Sequence, residues 1–200
     1  MTRTRVGAIL VMGCLCAAAP GVAQNREGFW MGVGGGWGSA GVTADQSVDE
    51  GRENSGVGYL RGGWALTNRL LLGGDLAVWT KTAAIERDTM MDLNIYHFSG
   101  TLTYYPSTSG FFVKGGAGGA FMDAAVKVPG ATTNLDLGKG FNVVVGAGFD
   151  IPIATHLAVT PAIDYWRGML GDVKVAGFPG PVLSGWSHNV VAATVGITFY

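Results

Sequence analysis

Cysteine is nearly absent: the chain has two, Cys14 and Cys16, and both fall in an apolar N-terminal segment. With that segment removed, neither a disulfide framework nor a thiolate metal site is available. Charged residues are scarce too, at 14%, and they balance to a formal net charge of −1, which leaves no electrostatic footprint for nucleic acid. Long hydrophobic runs are also missing. After Gln24 no apolar stretch reaches the ~18–20 residues that a spanning helix requires. Yet 48% of the residues are hydrophobic and the mean hydropathy is +0.30, which is apolar for a secreted soluble domain. Glycine, at 34 of 200 residues, disfavours helices, and it shows neither a collagen period nor the aromatic-poor surroundings of disorder. An apolar chain with no spanning helix has one membrane solution left: a closed barrel, whose strands satisfy every backbone donor and acceptor among themselves.

The N-terminus reads as an export signal over residues 1–23. Arg3 and Arg5 form a positive start, an apolar stretch follows from Val6 to about Ala19, and Gly21-Val22-Ala23 offers small residues for cleavage before Gln24. A lipoprotein box at Val11-Met12-Gly13-Cys14 fits less well, because Met12 suits it poorly and the apolar run continues past the cut. Residues 24–200 then form one domain.

Eight segments in that domain alternate with a period of two, the signature of strands with one apolar and one polar or small face. They are Phe29 to about Val42, Val57–Leu66, Leu70–Lys81, Tyr96–Tyr104, Phe111–Met122, Phe141–Ile151, Leu157–Tyr165 and Val191–Phe199. Trp79 and Trp166 are exceptions, because the alternation puts these large rings on the polar face. The connections are more telling than the alternation. Three are tight, at 67–69, 106–110 and 152–156, and four are long and polar or glycine-rich, at 43–56, 82–91, 123–139 and 168–186. Short and long alternate strictly, as an up-and-down barrel with short periplasmic turns and longer outer loops requires. The expected fold is therefore an all-β, eight-stranded antiparallel up-and-down transmembrane barrel with both termini on the periplasmic side. Aromatic residues gather near both strand ends, where interfacial belts are expected.

Three stretches carry a specific likeness: Gly28-Phe29-Trp30-Met31-Gly32-Val33-Gly34, Leu66-Thr67-Asn68-Arg69-Leu70 and Val195-Gly196-Ile197-Thr198-Phe199-Tyr200. On these the chain resembles the bacterial outer-membrane β-barrel family of small OmpA/OmpX-like domains, over essentially all of residues 28–200. The resemblance implies an outer-membrane location, contact with lipid and lipopolysaccharide, and delivery to the barrel-assembly machinery through the C-terminal strand. The alternating set of that strand lands on Phe199, with Tyr200 one residue beyond.

The inward faces supply a candidate polar network in the lumen: Arg61, Asp75, His97, Lys114, Asn142, Asp150 and Asp164, with Lys81 on the same face. Eight strands enclose a space just wide enough for side chains to fill or for one small ligand. Buried charges need partners, so pairing of Arg61 and Lys114 with the aspartates, and a plugged lumen, is the expectation. A narrow path for ions or solutes is the alternative. His97-Phe98-Ser99 resembles the His-x-Ser pair of lipid A deacylase barrels, but the following strand offers no carboxylate to complete it, so no enzyme is expected. His156 and His188 form no ligand spacing, and the Gly34–Gly36 and Gly115-Gly116 runs lack the lysine and helix of a phosphate loop. Neither metal nor cofactor is expected. The acidic segment Asp45 to Glu53 is a further candidate contact for cations or lipopolysaccharide.

Overall fold

The computed structural model describes residues 26–43, 50–86, 89–129, 131–173 and 183–200. The expected export signal lies outside the described residues. Among the described residues nine strands follow one another: β1 Gly28–Thr43, β2 Glu50–Thr67, β3 Leu70–Glu86, β4 Thr89–Tyr104, β5 Phe111–Val128, β6 Ala131–Phe149, β7 Ile151–Ala154, β8 Leu157–Val173 and β9 Leu183–Phe199. Each long strand pairs antiparallel with the next, β6 pairs with β8, and β9 returns to β1 from Met31↔Phe199 to Thr43↔Ser187. The eight long strands thus close into a ring. The four-residue β7 lies within the third tight connection and extends the β6 side against β8 after Asp150 interrupts the ladder.

Alternation decides which way each residue points. Phe29, Met31, Val33 and Trp37 of β1, Leu60 and Trp64 of β2, and Val191, Val195, Ile197 and Phe199 of β9 are exposed on the outside. The alternate set points inward and is mostly buried, as in the run Ile95, His97, Ser99, Thr101 and Thr103 of β4. The outer wall is therefore apolar and the core sits inside the ring. Such an inversion is stable only when lipid covers the wall.

The strands are longer than the alternation indicates. Within the segments 43–56, 82–91, 123–139 and 168–186, expected as loops, the described residues are almost all paired strand. At 16–19 residues each, the eight long strands exceed the ~9–11 needed to cross a bilayer. The extensions have a mixed outer face and so give only a weak period-two signal. Inward Leu137 and Leu170 join the interior cluster, Ala124 is buried, and the ladders are held by polar cross-strand pairs. Thr80 Oγ1 donates to Asn94 Oδ1 at 2.7 Å, Asn94 Nδ2 donates to Asp123 Oδ2 at 3.2 Å, and Lys127 pairs with Asp92 at 2.6 Å.

Inward glycines make room for large inward rings. The Tyr59 ring packs on Gly34 and Gly196, which face each other across the β1–β9 seam, and a Cβ at Gly196 would overlap the Tyr59 hydroxyl. Gly196→Val is expected to cost about 1–3 kcal/mol through overpacking, read as a lower urea midpoint at an unchanged slope.

Candidate functional site

The interior is built in layers along the barrel axis. At the short-turn end Trp30, Leu71, Tyr105, Phe112, Ala158, Ala162 and Tyr200 form one apolar cluster. Asp150, placed by the break after β6, is its polar centre. It accepts hydrogen bonds from Tyr105 Oη at 2.7 Å, Tyr200 Oη at 2.5 Å and Thr160 Oγ1 at 2.7 Å, and Arg26 Nη2 lies 3.7 Å away. Burial, and then the Asp150 carboxylate, push the Tyr105 and Tyr200 phenols up, so both stay protonated and donate. The Arg26 guanidinium also covers the Tyr105 ring at 3.7 Å.

The next layer holds four charges. Arg61 comes from β2, Asp75 is its cross-strand partner on β3, Lys114 rises from β5, and Asp164 faces them from β8. Arg61 Nε donates to Asp75 Oδ2 at 3.1 Å and Nη2 to Asp164 Oδ2 at 2.5 Å. Lys114 Nζ bonds Asp75 Oδ2 and lies 3.0 Å from Asp164 Oδ1. Two cations meet two carboxylates, so the layer is electrically neutral, and all four side chains are at most 7% exposed. The Tyr59 ring lies 3.8 Å beneath the Arg61 guanidinium carbon.

Beyond the charges, Ser99 Oγ donates to Asn142 Oδ1 at 2.9 Å, and Asn142 Nδ2 donates to the Gly119 carbonyl at 2.9 Å. His97 Nε2 and His188 Nε2 are hydrogen-bonded at 2.9 Å, with one ring donating and the other accepting according to tautomer. A second apolar cluster, including Val57, Trp79, Ile95, Met122, Val144, Trp166, Leu170 and Val190, completes the filling. Trp79 and Trp166, the two rings at odds with the alternation, are each 1% exposed within it. Trp79 Nε1 donates to the Gly38 carbonyl at 3.2 Å, and Trp166 stacks on His97 at 5.6 Å.

All seven sequence-derived candidates therefore lie inside the ring, but in three places. Arg61, Asp75, Lys114 and Asp164 converge, Asp150 serves the short-turn layer, and His97 and Asn142 belong to the layer beyond. His97 and Ser99 share a face but not a hydrogen bond: the imidazole is turned to His188 and the hydroxyl to Asn142. An imidazole must reach the hydroxyl it activates, and here it does not. Lys81, on the same face, is partly exposed further along and pairs with Glu53. Of the acidic segment, 45–49 lies outside the described residues. Alternation put Tyr59 on the face of Arg61, where the structure has it, whereas Tyr105, Tyr200, His188 and Arg26 were missed as interior partners. Parity carried the signal for Tyr200, since Phe199 faces outward and its neighbour must face inward.

A model of the family described as the outer membrane protein beta-barrel domain matches residues 7–179. No curated protein is significantly similar in sequence. Among solved structures, the fold is similar to Neisserial surface protein A, with a TM-score of 0.56 at 13% identity over 86% of this chain and 96% of that one. It is also similar to Ail, the attachment invasion locus protein of Yersinia pestis, with a TM-score of 0.53 at 14% identity over 86% and 99%. Ail in complex with the heparin analogue sucrose octasulfate gives a TM-score of 0.53 at 12% identity over 86% and 99%. These likenesses carry the fold.

Proposed function

The chain belongs to the outer-membrane protein β-barrel family, and from that premise we propose that it is a plugged, non-conducting barrel that acts through its outer surface. The observation that carries this reading is the neutral layer of Arg61, Asp75, Lys114 and Asp164, closed on either side by packed aromatic clusters. An ion entering the lumen would have to displace both the charge pairs and the rings. Residues 1–23 serve as the cleaved export signal, the short turns and both barrel termini face the periplasm, and β9 is the strand offered to the assembly machinery. The polar hairpin extensions then stand outside the cell as the contact surface. They are held upright by cross-strand pairs such as Lys127–Asp92, so they present a structured face to lipopolysaccharide or to ligands in the surroundings.

Planar-bilayer recording tests the plug. The purified full chain is expected to insert without resolved unit steps. A reproducible single-channel conductance at neutral pH would replace this reading with the narrow-channel one.

A further inference from the structure

The apolar wall ends at a definite level, and the residues at that level are not equivalent around the ring. Counting ~10 residues from the short-turn ends, the length of a spanning strand, leads to Ser39 on β1, Thr80 on β3, Asn94 on β4, Phe121 on β5, Lys139 on β6, Arg167 on β8 and Asn189 on β9. All seven share the outward parity of their strands. On the β3–β5 side the boundary is neutral and internally bonded, with Thr80 on Asn94, Asn94 on Asp123, and Tyr96 stacked on Phe121 at 4.9 Å. The cation just above it there, Lys127, is paired with Asp92.

The opposite side carries two exposed arginines. Arg52 lays its guanidinium across β1, with Nε on Ser39 Oγ at 3.0 Å, Nη2 on the Ser39 carbonyl at 2.6 Å and Nη1 on Asn189 Oδ1. Asn189 is in turn the cross-strand partner of Arg167. One asparagine therefore sits between two exposed arginines, with Gly41 opposite it leaving the surface low. Among the described residues neither arginine forms an ion pair: the acceptors of Arg52 are all neutral. Directly below lie the exposed apolar side chains of Val191, Ile163 and Trp37. An acyl-bearing molecule resting on that wall would bring its headgroup to the two guanidinium groups, whose fork geometry suits phosphate oxygens.

We propose that Arg52, Arg167 and Asn189 form a binding site on the outer wall for the phosphate of an outer-leaflet glycolipid whose acyl chains cover the apolar surface below. The site rests on the reading of the chain as a spanning barrel with its extended hairpins outward. Arg52 belongs to the segment Asp45 to Glu53, a candidate contact for cations or lipopolysaccharide, but in this site the protein supplies the positive charge itself.

Native mass spectrometry of the full chain in neutral detergent tests the site, using diphosphorylated lipid A, its dephosphorylated form and phosphatidylcholine as probes. Wild type is expected to retain diphosphorylated lipid A about tenfold more tightly than the other two, and the Arg52→Gln/Arg167→Gln double variant to lose that preference. Arg167→Gln alone breaks no observed contact, so its folding is not in question, and it is expected to lose several-fold. Lys127→Gln, on the neutral side, is expected to keep the preference. Equal retention by wild type and the double variant overturns the proposal, as does an equal loss in Lys127→Gln. Displacement of lipid A by inorganic phosphate would assign an aqueous anion site and also overturn it. Co-flotation of each protein with phosphatidylcholine vesicles separates the two readings: failure to insert removes the spanning barrel, while insertion without lipid A preference removes this site alone.

Discussion

Replacing Asp164 by asparagine is expected to destabilise the barrel by about 3–5 kcal/mol, measured by urea unfolding in vesicles. The substitution hardly changes the shape of the side chain. It leaves Arg61 and Lys114 facing Asp75 alone, an uncompensated positive charge in a layer whose four side chains are at most 7% exposed. The charge-balanced double variant Asp164→Asn/Lys114→Met removes one charge of each sign and is expected to recover a large part of the loss. That non-additivity distinguishes a coupled network from two independent contacts. Small and additive losses would mean that the lumen is wet and screens its charges.

Trp166→Ala is expected to cost a similar amount, about 3–5 kcal/mol, for a different reason. Among the described residues its indole nitrogen has no hydrogen-bond partner, so the loss is one of packing against the buried cluster and of the stack on His97. Trp79 is also anchored through Nε1 to the Gly38 carbonyl, so Trp79→Ala is expected to cost still more. Removing both indoles opens the layer between the charge network and the outer hairpins. Because the charge layer and the short-turn aromatic cluster still close the lumen, the Trp79→Ala/Trp166→Ala double variant is expected to show no resolved unit steps in planar bilayers. Resolved steps in the double variant would place the block at the tryptophan layer instead.

The ring was legible because a strand in a barrel wall has two chemically opposite faces, and Leu70, Leu72 and Leu76 against Asp75 and Ala77 record that directly. The alternation of connection lengths added the topology. Strand length was not legible, because the outward Thr80, Thr82, Asp92 and Asn94 are polar and their pairing depends on partners in other strands. The two lumen tryptophans were hidden for the opposite reason. The parity was right, but a polar face was not expected to bury large rings, and the space for them comes from small residues such as Gly38 on distant strands. Four candidate charges meet because their levels coincide across β2, β3, β5 and β8. That property belongs to the register of the closed ring, and no single strand displays it.

Closure of β9 on β1 also sets an order of events. The seam joins residues near position 31 to residues near position 199, so almost the whole chain must be delivered before the first strand gains its second neighbour. Until then β1 and β8 each present a bare row of backbone donors and acceptors, which hydrocarbon cannot satisfy. A chain shortened by its final strand therefore has no intermediate home in the bilayer. The seam makes residence in hydrocarbon conditional on the last strand.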